Sequence, residues 1–535
     1  MSSDSPETRD SARASIDAKS SSSRSSVDSL EVEDSNALGR IASSQIGRRL
    51  SASASFNDKN DPRLDPYSPE FEYRRWAQMA LKAVRESDIE PLQQGVVFNN
   101  LRVSGSGAAL QYQETLLSQL IVPFRAAARF LSGRHRVDRR LILNGFDGLL
   151  QSGELLLVLG RPGSGCSTFL KTICGHLGGV TLEAESDIHF QGIKYEHMLR
   201  NYRGEVTYNS EVDQHFAHLT VGETLSFAAQ ARAPRRRVEG LSRSEYTQTI
   251  VQVVMAIFGL AHTVNTKVGD NFVRGVSGGE RKRVSIAEMF LSRCRIGVWD
   301  NSTRGLDAAS ALKFVRSLRL AADMGGSCHA VAAYQASQSM YDVFDNVIVL
   351  YAGEEIYFGP CGRAVAYFEE MGWQRSDRQI SSDFLTAVTN PGERKARAGM
   401  ENKVPRTPQE FAEYWKRSPE YHSLHNVIAQ YRQAHPTNGQ DAETTHRDHI
   451  DQQARYTSPK SPYLLSVPMQ IGLCIRRAGQ RMKNDMQTTM STVGAISFTL
   501  FLPLFSCSTH PTATPILPFD SSRNSASPGN HIIFT

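Results

Sequence analysis

Residues 154–173 read ELLLVLGRPGSGCSTFLKTI. The apolar run that ends at Leu159 is short enough for a strand buried on both faces. Gly160, Gly163 and Gly165 follow, then Cys166, Ser167 and Thr168. Phe169, Leu170, Ile173 and Leu177 recur at helical spacing. Strand, glycine-rich turn and helix start make a phosphate-binding loop. The glycines let the backbone curl until successive N–H groups face one anion, and the helix N-terminus adds partial positive charge. Ser167 stands where a hydroxyl ligates Mg²⁺. The spacing of such loops places Lys where this chain has Cys166. A thiol carries little charge at neutral pH unless activated, so the cradle is kept while its strongest cation is missing.

Outward from this stretch, 535 residues allow two to four domains. The composition is that of an ordinary cytosolic protein. The net charge of +5 is dispersed and argues against nucleic acid as a partner. Cysteines 166, 174, 294, 328, 361, 474 and 507 form no CxxC pair and read as reduced thiols. No cluster of histidines completes a metal site, and no apolar signal segment opens the chain.

Residues 1–65 are Ser-rich and poor in large apolar side chains, the composition of a disordered tail. Within it, Arg48-Arg49-Leu50-Ser51 has the form of a basic-directed phosphorylation site. A helical segment is predicted over 66–94, with Phe71, Trp76, Met79, Ala80 and Val84 as its apolar contacts. Val96–Val103 and Leu141–Leu150 read as strands, with an amphipathic helix or loop between them at 110–132. Ile188–Phe190 and Val206–Tyr208 are strand-like. Residues 220–265 are largely helical, broken by a solvated Arg235-Arg236-Arg237. Ser277 and Glu280 form a capping box for the next helix, and the paired Gly278 and Gly279 clear N–H groups for a phosphate. Ile296–Asp300 is a second buried strand, whose terminal carboxylate can hold Mg²⁺ or its waters. Asn301 occupies the next position, where a general base is expected, and an amide accepts no proton at neutral pH. Gly305-Leu306-Asp307 starts a helix, and His329–Tyr334 reads as a third strand. Val347–Tyr351 and Ile356–Phe358 form a hairpin turned by residues 352–355.

In this order the motifs GRPGSGCST (160–168), VSGGERKRVSIAE (276–288), WDNSTRGLD (299–307) and YQASQSMYDVFD (334–345) resemble the nucleotide-binding domain of ABC transporters. They are most similar to the first cassette of the fungal pleiotropic drug resistance (ABCG-like) group, over roughly Gly95 to Glu420. The resemblance implies an α/β P-loop NTPase cassette at 95–360, with a mixed sheet core and a helical subdomain at about 220–285. A linker at 361–465 follows, containing a capped helix start at Thr407-Pro408-Gln409-Glu410 and a polar, flexible stretch at 422–460. Residues 466–508 are an amphipathic helix, at a membrane surface or packed on the cassette, and a partial first membrane helix from Met490. An unstructured tail closes the chain at 509–535.

Such cassettes work as head-to-tail pairs with ATP between one phosphate loop and the partner's signature. The resemblance therefore assigns ATP to Gly160, Arg161, Gly163, Ser164, Gly165, Cys166, Ser167 and Thr168, and to the signature Ser277, Gly278, Gly279, Glu280 with Asp307. It assigns Mg²⁺ to Ser167 and Asp300. Four positions form the catalytic set: Asp300; Asn301, in place of a glutamate; Glu211, in place of a magnesium-sensing glutamine; and Tyr334, in place of a switch histidine. The expected function is the ATP-binding cassette of a drug or lipid exporter, binding Mg-ATP with a degenerate loop and completing the site of a second cassette. The expected location is the plasma membrane, with the cassette on its cytoplasmic side. Membrane helices that would contact a substrate are not in the sequence, which reads as the N-terminal piece of a longer transporter. The alternatives are a non-hydrolytic, nucleotide-dependent interaction module or a non-functional fragment. A soluble ABC ATPase acting on ribosomes or nucleic acid is disfavoured by the single cassette.

Overall fold

The computed structural model describes residues 61–86, 93–105, 139–237 and 241–508. The Ser-rich stretch with Ser51, the 110–132 segment and the 509–535 tail lie outside the described residues. The eleven strands are β1 (Val96–Gly105), β2 (Arg140–Leu150), β3 (Leu155–Gly160), β4 (Val180–Leu182), β5 (Asp187–Phe190), β6 (Ile193–Lys194), β7 (Val206–Asn209), β8 (Ile296–Asp300), β9 (Cys328–Ala332), β10 (Asn346–Tyr351) and β11 (Glu354–Pro360). They run in the order β6-β5-β1-β2-β11-β10-β3-β9-β8-β7, with β4 beside β1. From β10 to β7 every neighbouring pair is parallel, whereas β1 pairs antiparallel with β2 and β5. The result is the mixed-sheet α/β cassette expected from the sequence.

The parallel centre follows from composition. Leu155–Leu159 is buried throughout, as are β8 and β9, because helices cover both faces of a parallel sheet. Helix Cys166–Ile173 is fixed to the antiparallel part by Phe169, whose ring meets Phe98 edge-on at 5.3 Å and Phe146 at 5.8 Å. Helices Val221–Arg232, Arg243–Ile257 and Gly278–Leu291 each begin at a formed capping box.

Several expectations need correction. The hairpin turn is the two-residue Ala352-Gly353, with φ of 49° and 87°, because paired left-handed residues match the strand twist. Glu354 and Glu355 already belong to β11. Strand β9 stops at Ala332, so Tyr334 lies beyond it. Residues 422–460 are not a flexible stretch but carry much of the helices Pro419–Ala434 and Gln440–Gln452. They pack through polar contacts: Tyr421 Oη donates to Asp147 at 2.9 Å, and Gln453 Nε2 donates to Ser461 O at 2.8 Å. Residues 61–65, assigned to the tail, hold a short turn in which Asp61 pairs with Arg63 and Arg75. The described chain divides at Gln480 and Arg481 into two units. Helix Val467–Asn484 crosses that boundary and helix Met486–Ser508 follows. Among the described residues no helix is long and apolar enough to cross a membrane, which corrects the partial span. Its Ser and Thr residues dilute the apolar run that a span of ~20 residues requires.

A buried histidine makes the cassette acid-sensitive. His329 accepts from the donor-only Trp299 Nε1 at Nδ1, 3.4 Å away, and its Nε2 therefore donates to Ser327 Oγ at 3.0 Å. Burial, reinforced by the charge of Arg319, pushes its pKa down to about 3. The unfolded chain takes up this proton near 6.5 and the folded chain does not. Stability from this group is therefore present above 6.5 and drains as pH falls toward about 3, at roughly 1.4 kcal/mol per pH unit. His329→Gln is expected to flatten the urea-midpoint profile between pH 6.5 and 4.5; a profile as steep as that of the native chain refutes this.

Candidate functional site

The loop after β3 is closed behind and open in front. A Cβ on Gly165, where φ is 104°, would meet Leu143 Cδ2 at 2.6 Å; one on Gly160 would meet Cys166 Sγ and Leu350 O at 2.9 Å. A Cβ on Gly163, where φ is 86°, would meet nothing within 4 Å. Ser164 is buried, its N–H donating to Arg161 O at 2.9 Å and its carbonyl accepting from Gly353 N–H at 3.0 Å. The β10–β11 turn thus props the loop from below. No side chain caps helix Cys166–Ile173, so its first-turn N–H groups remain for an anion. Thr168, inside that first turn, holds Thr172 Oγ1 on its carbonyl at 2.8 Å. This cradle fits a phosphate chain.

The end of β8 closes the other side. Asp300 Oδ1 accepts from Ser167 Oγ at 3.0 Å, and its Oδ2 accepts from Tyr208 Oη at 2.6 Å. A hydroxyl and a carboxylate so placed supply the hard oxygen ligands magnesium takes. Asn301 sits at a φ of 48°, its N–H donating to Ala332 O at 3.1 Å and its amide nitrogen 3.5 Å from Asp300 Oδ1. Burial, with the Asp300 carboxylate adding to it, pushes the Cys166 thiol up to about 12. The position of the usual cation therefore holds a neutral group. Glu211 pairs with Arg304.

The remaining predicted residues lie apart. Tyr334 is 59% exposed. Ser277–Glu280 open their own helix, with Glu280 accepting Ser277 N–H at 2.8 Å and His262 Nε2 at 2.9 Å. Open space surrounds Gly278. Among the described residues no hydrogen bond joins this turn to residues 160–168. Asp307 is exposed and caps helix Ala308–Gly325 by accepting Ser310 N–H at 2.9 Å.

Two residues escaped the sequence reading. Tyr208 holds the second oxygen of Asp300; alternation along VTYN, which directs it to the same face as the end of β8, was the available signal. Lys282, buried to 3% exposure, donates to Glu211 O at 2.9 Å and reaches Asp213 at 3.3 Å. In the sequence it was one of three consecutive basic residues and gave no sign of burial.

Residues 143–304 match the family described as ABC transporter, and residues 11–119 match that described as ABC-transporter N-terminal. The ABC multidrug transporter atrA of Aspergillus oryzae is 53% identical over 86% of this chain and 32% of its own length. The ABC-type transporter adrC of Penicillium roqueforti is 52% identical over 80% of this chain and 30% of its own. The ABC multidrug transporter atrI of Aspergillus fumigatus is 52% identical over 81% of this chain and 29% of its own. The chain thus spans about a third of the length of these curated relatives. With the β3 loop, the β8 carboxylate and the mixed sheet that carries both, these matches show that the chain belongs to the ABC transporter family of ATPases, as a nucleotide-binding cassette.

Proposed function

We propose that this cassette grips Mg-ATP at its own loop, cleaves it slowly, and lends Ser277–Glu280 to the competent site of a second cassette. One observation carries the reading: the two positions that act most directly on a transferring phosphoryl group hold a neutral thiol and an amide beside an otherwise complete Ser167–Asp300 pair. Backbone N–H groups of 160–168 would hold the phosphates. Ser167 and Asp300 would hold Mg²⁺, which neutralises charge on the β- and γ-oxygens when bound. Arg304 ties Glu211 down, in keeping with slow cleavage. The exposed signature with open space at Gly278 suits a phosphate brought by a partner. The relatives carry names of multidrug transporters, and drug or lipid efflux at a membrane is the activity this cassette would serve.

Equilibrium binding and turnover on the purified chain test this directly. Saturable Mg-ATP binding that Ser167→Ala weakens, with steady-state hydrolysis barely above background, is expected. Rapid hydrolysis abolished by Asp300→Asn defeats the proposal, as does a folded chain with no affinity for Mg-ATP. The non-hydrolytic interaction module is the limiting case in which Asn301 leaves no cleavage at all.

A further inference from the structure

Away from the phosphate loop, helix Tyr73–Glu86 roofs a cavity of about 410 Å³ over the cassette. Its bed is apolar: Trp76, Leu81 and Val84 from the roof face Ile250, Phe290 and Met324 below. Five arginines, 232, 236, 237, 293 and 295, also line it. Three are neutralised. Arg232 and Arg295 share Glu205, and Arg295 also meets Asp448; Arg236 meets Asp451 at 3.3 Å. Arg237 donates only to carbonyls, those of Pro234 and Leu241. Arg293 donates to Tyr246 Oη at 2.6 Å and lies over its ring. Neither meets a carboxylate among the described residues. In addition, Nη1 of Arg295, a residue only 8% exposed, is buried without a hydrogen-bond partner.

An apolar bed of this size and two arginines that meet no carboxylate among the described residues define one ligand chemistry. We propose that the cavity binds an anionic amphiphile, an alkyl chain bearing a carboxylate or phosphate head. The tail lies between Trp76 and Phe290, and the head meets Arg237 and Arg293. Trp299, which also lines the cavity, directly precedes Asp300. The occupant therefore touches the strand that carries the magnesium carboxylate. The proposal is independent of whether the loop hydrolyses ATP.

The four tryptophans supply the readout. Trp76 and Trp299 line the cavity, whereas Trp373 stacks on Phe411 and Trp415 packs on Tyr357, elsewhere in the cassette. Dibromostearate, a short-range quencher, is titrated into the full chain below its micelle-forming concentration. Saturable quenching is expected, largely lost in Trp76→Phe and retained in Trp415→Phe. The matching dibromo-alcohol should bind about tenfold more weakly, and Arg237→Gln/Arg293→Gln should weaken the acid by a similar factor and leave the alcohol unchanged. An alkyl phosphate competing better than laurate identifies a phosphate head; the reverse order identifies a carboxylate. Ala80→Phe, which fills the roof, should abolish quenching while thermal unfolding stays cooperative. Non-saturable quenching, equal affinity for acid and alcohol, or quenching unchanged in Ala80→Phe overturns the proposal.

Discussion

Exchanging Cys166 for Lys and Asn301 for Glu together is expected to raise single-turnover cleavage of bound ATP by about 10²–10⁴-fold, the range a positioned base contributes. The scaffold for both groups is in place. Gly160 and Gly165 shape the turn, and Ser167 and Asp300 already face each other at 3.0 Å. At Asn301 the backbone is pinned by its N–H bond to Ala332 O, so a glutamate there starts from a fixed position next to Asp300. At 166 a thiol held neutral gives way to an ammonium, a point charge on the phosphates. Each exchange alone should recover less, because cation and base act on one transition state and their effects do not add. The native chain and the double variant should bind Mg-ATP with affinities closer together than their rates. That split places the effect on the chemical step. Equal rates in the two proteins, with binding intact, would show that the missing groups are not what limits cleavage here.

How far the sequence carried this site depends on which contacts were local. The loop was legible because strand, glycines and helix are consecutive, and each glycine answers a backbone demand: φ of 104° at Gly165, a close approach at Gly160. The capping box at Ser277 was legible for the same reason, since both partners lie within four residues; those at Thr220 and Ser242 have the same spacing but were not read. Tyr208 on Asp300 and Lys282 on Glu211 join positions 92 and 71 residues apart; strand alternation could give only the face of Tyr208, not its partner, and nothing local marks Lys282. The helices over 419–452 were missed for a different reason. Apolar periodicity is the main helix signal, and helix Gln440–Gln452 buries only Thr445 and His449. Its neighbour Pro419–Ala434 buries only Ile428. Ser418 as N-cap and Pro419 at the first turn open that helix, a start signal that the sequence reading did not use. At the other end, the absence of charged residues over Met490–Cys507 suggested the start of a span that its hydroxyl-rich composition does not support.

Glu205→Ala is expected to cost about 3–5 kcal/mol of folding stability, the range for removing one partner from a buried ion pair. Glu205 is 4% exposed and lies between two guanidiniums, Arg232 at 2.8 Å and Arg295 at 3.1 Å. Burial alone would raise its carboxyl; Arg232 and Arg295 outweigh that and hold it below the usual range. Without it the buried Arg295 and the partly buried Arg232 face each other, with Asp448 left to Arg295 alone. The same residue accepts the N–H groups of Arg295 and Ile296 on its carbonyl, both at 3.0 Å, which sets the start of β8. Its side chain thus joins helix Val221–Arg232 to the strand that ends in Asp300, and Arg295 extends the link to helix Gln440–Gln452 through Asp448 at 2.7 Å. Glu205→Gln keeps shape and hydrogen bonding but not charge, so it should fall between the native chain and Glu205→Ala. Urea unfolding above pH 6 measures the order directly. A loss below about 1 kcal/mol for Glu205→Ala would mean that water or a rearranged Asp448 takes over the charge. The three-way junction would then not be what seats β8 beneath the phosphate loop.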